Sequence, residues 1–105
     1  MDREQYETEA ATLIGRRIAA LRGMTFDRAS DLPEARGEDA MVAGQKCALT
    51  TFRQSLGPNE TLVTVQIARP ALFGLGSAHT EQGLVFDRDG SVRDASDEEL
   101  RRSGG

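Results

Sequence analysis

The residues able to do covalent or proton chemistry are few. Cys47 is the only thiol and His79 the only imidazole. Together they could form a nucleophile and its base, provided the two lie within hydrogen-bond reach and a third group orients the ring. Glu81, two residues beyond His79, falls on the same side of an extended stretch and could supply that group. Cys47, however, falls in the middle of a strand pattern, where a free cysteine ordinarily acts as a small buried apolar residue. No catalytic residue is assigned, the chain is read as non-enzymatic, and His79 is kept as a contact candidate.

Metal and phosphate chemistry find less support still. His79-Thr80-Glu81 resembles the His-x-Glu of zinc deaminases, but the paired downstream cysteines are absent and one imidazole does not hold zinc. Asp87-Arg88-Asp89-Gly90 resembles part of a calcium loop. Placing Gly90 sixth puts Val85 first and Ser96 twelfth, so two oxygen ligands become an apolar side chain and a weak hydroxyl. That segment reads as a hairpin turn. Gly74-Leu75-Gly76-Ser77 lacks the lysine and helix start of a phosphate loop and reads as a bulge or bend. No metal and no cofactor are expected.

Several elements must position whatever site exists. At about 100° per residue, Tyr6, Ala10, Leu13, Ile14, Ile18 and Leu21 share an arc of roughly 140°, which predicts an amphipathic helix from about residue 2 to 22. Gly23 stops it. Arg17 lies inside that apolar arc, so its stem packs at the helix–sheet boundary and its guanidinium either reaches out to solvent or meets a carboxylate or anionic ligand. Residues 24–45, with Ser30, Asp31, Pro33, Gly37 and Gly44 among acids, read as an irregular loop with a short strand possible at 40–43.

From Lys46 the period changes to two. Strands are predicted over 47–56 and 61–69, joined by Gly57-Pro58-Asn59-Glu60. A four-residue loop sets Phe52 opposite Val65, Thr50 opposite Ile67 and Gln54 opposite Val63, which makes one face mainly apolar. The other face collects Thr51 opposite Gln66 and Arg53 opposite Thr64, flanked by Leu49 and Leu62. A second hairpin is predicted over 82–95, its three-residue loop Arg88-Asp89-Gly90 pairing Phe86 with Val92. Ser96 and Glu99 have capping-box spacing for a short C-terminal helical turn. The result is a single α+β domain over 1–105: a long N-terminal helix on one face of a roughly four-stranded, mostly antiparallel sheet, with 101–105 as a flexible tail. In element order it resembles the helix-wrapped curled sheets of cystatin-like folds.

Charge excludes some partners. Thirteen basic and seventeen acidic residues leave a net charge of −4. The most basic segment, 46–80, carries only +2, and five aromatics are available for stacking, so nucleic acid is not an expected partner. The longest uncharged stretch, 70–80, is too short to span a bilayer, and the acidic start does not read as a secretory signal. With one cysteine no internal disulfide forms, which fits a reducing cytoplasm. The tail Arg101-Arg102-Ser103-Gly104-Gly105 resembles, in its last two residues, the ends of ubiquitin-like modifiers and of the sulfur carriers of thiamin and molybdopterin synthesis. That resemblance implies an activated carrier whose terminal carboxylate is adenylated and then transferred. The order of elements departs from the β-grasp fold of those families, which opens with a hairpin.

The favoured expectation is a small non-catalytic interaction domain, a homodimer or the partner of another protein, met through the charged central loop or through the open sheet face, with Leu49 and Leu62 as its apolar centre and Thr51, Arg53, Thr64 and Gln66 as its rim. The alternative is a small-ligand or anion site between helix and sheet, with Arg17 as the contact.

Overall fold

The computed structural model describes residues 3–68 and 79–102. The first element, α1 (Arg3–Leu21), takes the predicted stripe into the core: Tyr6, Ala10, Ile14, Ile18 and Leu21 are buried, and Leu13 is half-buried against them. A short helix α2 (Phe26–Ser30) follows, capped by Thr25, whose side chain accepts the Arg28 backbone N–H. Five strands then run in sequence: β1 (Ala35–Val42), β2 (Gln45–Gly57), β3 (Glu60–Ala68), β4 (His79–Asp87) and β5 (Val92–Asp94). The chain turns last into α3 (Asp97–Arg102).

The sheet is an antiparallel meander, each strand pairing with its neighbour in sequence. An α+β domain with a helix on an antiparallel sheet and a short C-terminal helix is therefore the architecture. The sheet has five strands rather than four because 24–45 is not an irregular loop: it holds α2 and β1. Both were hidden from periodicity. Helix α2 buries only Ala29, and β1 is exposed along nearly its whole length, so neither carries an apolar repeat. Strands β1 and β2 join through Ala43 and Gly44, at φ +50° and +78°, the pair of left-handed residues that a tight hairpin turn requires.

The β2–β3 register differs from expectation by one residue. Gly57 pairs with Glu60 as a four-residue turn demands, but Ser55 pairs with Thr61, leaving Leu56 as a bulge. Upstream of the bulge the pairs become Arg53↔Val63, Thr51↔Val65 and Leu49↔Ile67. Strand β2 is thereby turned over relative to expectation, while β3 is not. Cys47, Leu49, Val63, Val65, Ile67, Leu84 and Phe86 form the core under α1. A helix stripe and a sheet face of this kind hold together by burial of apolar area, about 25 cal/mol per Å².

The C-terminal features follow their predicted chemistry. Phe86 pairs with Val92, and Gly90 in the Arg88-Asp89-Gly90 loop takes φ +98°. Glu99 accepts the Ser96 backbone N–H at 2.9 Å, and the Glu99 N–H donates to Ser96 Oγ at 3.2 Å, a reciprocal capping box. Arg101 and Arg102 belong to α3, so they are helical rather than tail; residues 103–105 lie outside the described residues.

Helix α3 lies on the sheet face turned away from α1. Gly83 alternates with Leu84 and so faces that side. A Cβ built at Gly83 would stand 2.9 Å from Leu100 Cδ2, so glycine is what lets the helix close on the strand. Leu62, Thr64 and Val85 share this far face and are buried, although they are not part of the core beneath α1.

Candidate functional site

The bulge divides the expected polar surface. Thr51 and Arg53 turn toward the helices, whereas Thr64 and Gln66 remain on the far face. Thr51 is buried and Arg53 half-buried. Arg53 Nε donates to the Leu32 carbonyl at 2.6 Å and its backbone N–H to the Glu34 carbonyl at 3.0 Å, so this arginine braces the link from α2 into β1. Ser30 Oγ and Thr61 Oγ1 tie α2 to β3 at 2.9 Å. Of the two residues left on the far face, Thr64 is buried and Gln66 half-buried. Leu49 and Leu62, expected as the apolar centre of a contact patch, are buried on opposite sides of the sheet. A face built from all four polar residues does not exist, and the bulge at Leu56 is the reason.

Arg17 reaches a carboxylate. Its guanidinium bonds Glu38 on β1, with about a third of each side chain exposed. Such a half-exposed pair contributes at most about 1 kcal/mol, but it occupies the arginine that an anion would use. Arg22 is likewise engaged, by Asp94 at 2.7 Å. A cavity of about 410 Å³ opens where α1 passes β4 and α3, lined by Ile18, Arg22, Glu81, Asp94, Asp97 and Leu100. Three carboxylates and one paired arginine do not suit an anion, and Arg17 does not line it.

The thiol–imidazole pair is also separated. Cys47 is buried in the core on β2. His79 opens β4, its backbone paired with Ala68, and its side chain lies outside the described residues. Strand β3 runs between them, a backbone separation of about 9–10 Å. Among the described residues no group of three His, Cys, Asp or Glu side chains is placed to hold a metal ion, and no helix is long and apolar enough to cross a membrane.

One charged cluster is well organised. Arg93 meets Glu99 through two bonds, at 2.8 and 2.7 Å, and Glu60 at 3.6 Å. The Arg93 guanidinium and the Ser96 backbone N–H hold the Glu99 carboxyl down to about 2, and the same contact with Glu99 raises Arg93. This cluster ties α3 to β5 and β3 and is structural.

The surface missed from sequence is β1. Among the described residues it is an edge strand, paired only with β2. The bond from Arg53 N–H to the Glu34 carbonyl fixes the phase of the ladder. Residues 34, 36, 38, 40 and 42 turn their backbone groups to β2, and Ala35, Gly37, Asp39 and Met41 turn theirs outward. The adjoining part of the far face carries Ala48, Thr50, Phe52 and Gln54, exposed or half-buried, and Met41 is 64% exposed. A sequence signal for this edge did exist: Arg36, Gly37 and Glu38 place opposite charges two residues apart around a glycine. Comparison with protein-family models, curated proteins and solved structures finds no match to this chain.

Proposed function

We propose that this domain is a non-catalytic protein-interaction module that works as a homodimer through the uncovered β1–β2 side of its sheet. The observation that carries this reading is the outer edge of β1, where a run of backbone N–H and C=O groups faces outward with no strand beside it among the described residues. Edges of this length template pairing with another chain unless something covers or blocks them. On the neighbouring far face the exposed Met41 and half-buried Phe52 stand among Asp39, Thr50 and Gln54, so the run of outward backbone groups along the edge is the more continuous feature.

Light scattering on the purified protein at tens of micromolar tests the reading. The expected mass is twice the 11.4 kDa of one chain. A mass of one chain across that range would overturn it.

A further inference from the structure

We propose that two copies join edge to edge along β1, antiparallel, with Gly37 on the two-fold axis, to make one continuous ten-stranded sheet. This rests on the dimeric reading above and assigns its partner surface and register. A two-fold axis perpendicular to a sheet sets one residue of an antiparallel edge opposite its own copy. The charges of β1 then choose among the possible centres. Centring on Arg36, Glu38 or Asp39 puts like charges face to face, which is destabilising. Centring on Ala35, Ala40 or Met41 also avoids like pairs, but Gly37 alone overlaps residues 35–39 of both strands with Arg36 of each copy opposite Glu38 of the other and Ala35 opposite Asp39.

The backbone phase suits any two-fold centre on β1, and for this one it fixes which pairs are hydrogen-bonded. Ala35, Gly37 and Asp39 are the residues whose N–H and C=O groups point outward, so Gly37 would exchange bonds with its own copy, and Ala35 with Asp39, on both sides of the axis. Arg36 and Glu38 would then form non-hydrogen-bonded pairs, whose Cα atoms approach to about 4.5 Å and whose side chains are closest.

Two further observations point the same way. Gly37 has no internal reason to be glycine: its φ is not left-handed, and a Cβ there would meet only Thr50 Oγ1 at a comfortable 3.8 Å. A glycine inside a strand with room for a side chain marks a place where another backbone comes close. Arg36 is exposed and its side chain makes no hydrogen bond or ion pair among the described residues, while Glu38 already holds Arg17 beside the seam. The incoming Arg36 would complete an Arg–Glu–Arg group at each end of the axis.

A charge-swap pair tests the register. Arg36→Glu alone sets two glutamates opposite one another at both ends of the seam, and Glu38→Lys alone sets arginine against lysine. Each variant is expected to be monomeric by light scattering, and the equimolar mixture to return to the dimer mass, because only the mixed pair restores opposite charges. Gly37→Pro is the second variant. Its lost N–H faces outward, so the fold keeps its ladder and its far-ultraviolet spectrum while the dimer dissociates. If the parent protein is a dimer but the charge variants stay dimeric singly, or the mixture fails to recover, the edge register is wrong and the dimeric reading stands. A parent protein that is monomeric sinks both.

Discussion

Replacing Gly83 with alanine probes how α3 is seated. The new methyl would sit 2.9 Å from Leu100 Cδ2, 3.1 Å from the Val63 carbonyl oxygen and 3.3 Å from Ala95 Cβ. Carbon atoms in contact settle at about 3.5–4.0 Å, so Leu100 must retreat by roughly 0.6–1 Å. Its side chain has some freedom to do so. The Val63 carbonyl belongs to the central strand β3 and has little. Overpacking of this kind costs about 1–3 kcal/mol, offset by the ~0.4–1 kcal/mol that alanine contributes by restricting the unfolded chain. A net loss of about 1–2 kcal/mol lowers Tm by roughly 5–15 °C in a domain of this size. Thermal and urea unfolding of Gly83→Ala, Leu100→Ala and the double variant read it out. In the Leu100→Ala background the nearest obstacle is gone, so the Gly83→Ala penalty should shrink by at least ~0.5 kcal/mol. Equal penalties in both backgrounds, or a Gly83→Ala variant as stable as the parent, would refute the placement of Leu100 over Gly83.

Two other perturbations follow from local geometry. Ala43 holds φ +50°, a conformation costing an ordinary L-residue about 1–2 kcal/mol, so Ala43→Asn should stabilise by ~0.5–1 kcal/mol in urea unfolding. No gain would mean that the hairpin turn is built otherwise. Glu99, held down to about 2 by Arg93 and the Ser96 N–H, binds fewer protons folded than unfolded between that value and its ordinary range near 4.5. Its contribution is therefore complete above about pH 4.5 and fades as the pH falls toward 2. Glu99→Gln should lower stability at neutral pH and flatten the acid limb of the Tm profile; an acid limb identical to the parent's would refute the assignment.

The parts legible in the sequence are those with a strong local rule. The stripe Tyr6, Ala10, Ile14, Ile18 and Leu21 has helical period, Ser96 and Glu99 have cap spacing, and Arg88-Asp89-Gly90 is a turn by composition; all three take the predicted form. Strand β1 was not legible because an edge strand exposed on both faces has no apolar alternation to read. The candidate face failed for a different reason. Both strands have a readable period of two, and a bulge at a single leucine reverses the sides of one of them. Nothing in Gln54-Ser55-Leu56-Gly57 announces an extra residue before a turn that already has the right length. Arg17 illustrates the middle case: its place within the apolar arc leaves solvent, a carboxylate or an anion as its outlet, and the carboxylate it meets, Glu38, lies in the segment without a readable period.

That bulge has a consequence for how the chain tolerates change over evolutionary time. Leu56 acts on β2 much as an inserted base acts on a reading frame. Deleting it would leave the turn intact and invert every upstream position, driving Phe52 and Thr50 toward α1 and expelling Cys47, Leu49 and Thr51. Substitutions along β2 would each be judged singly, by size and polarity. Loss or gain of one residue between Ser55 and Glu60 would be judged all at once. Descendants of this chain should therefore vary freely in the residues of that hairpin and hardly at all in its length.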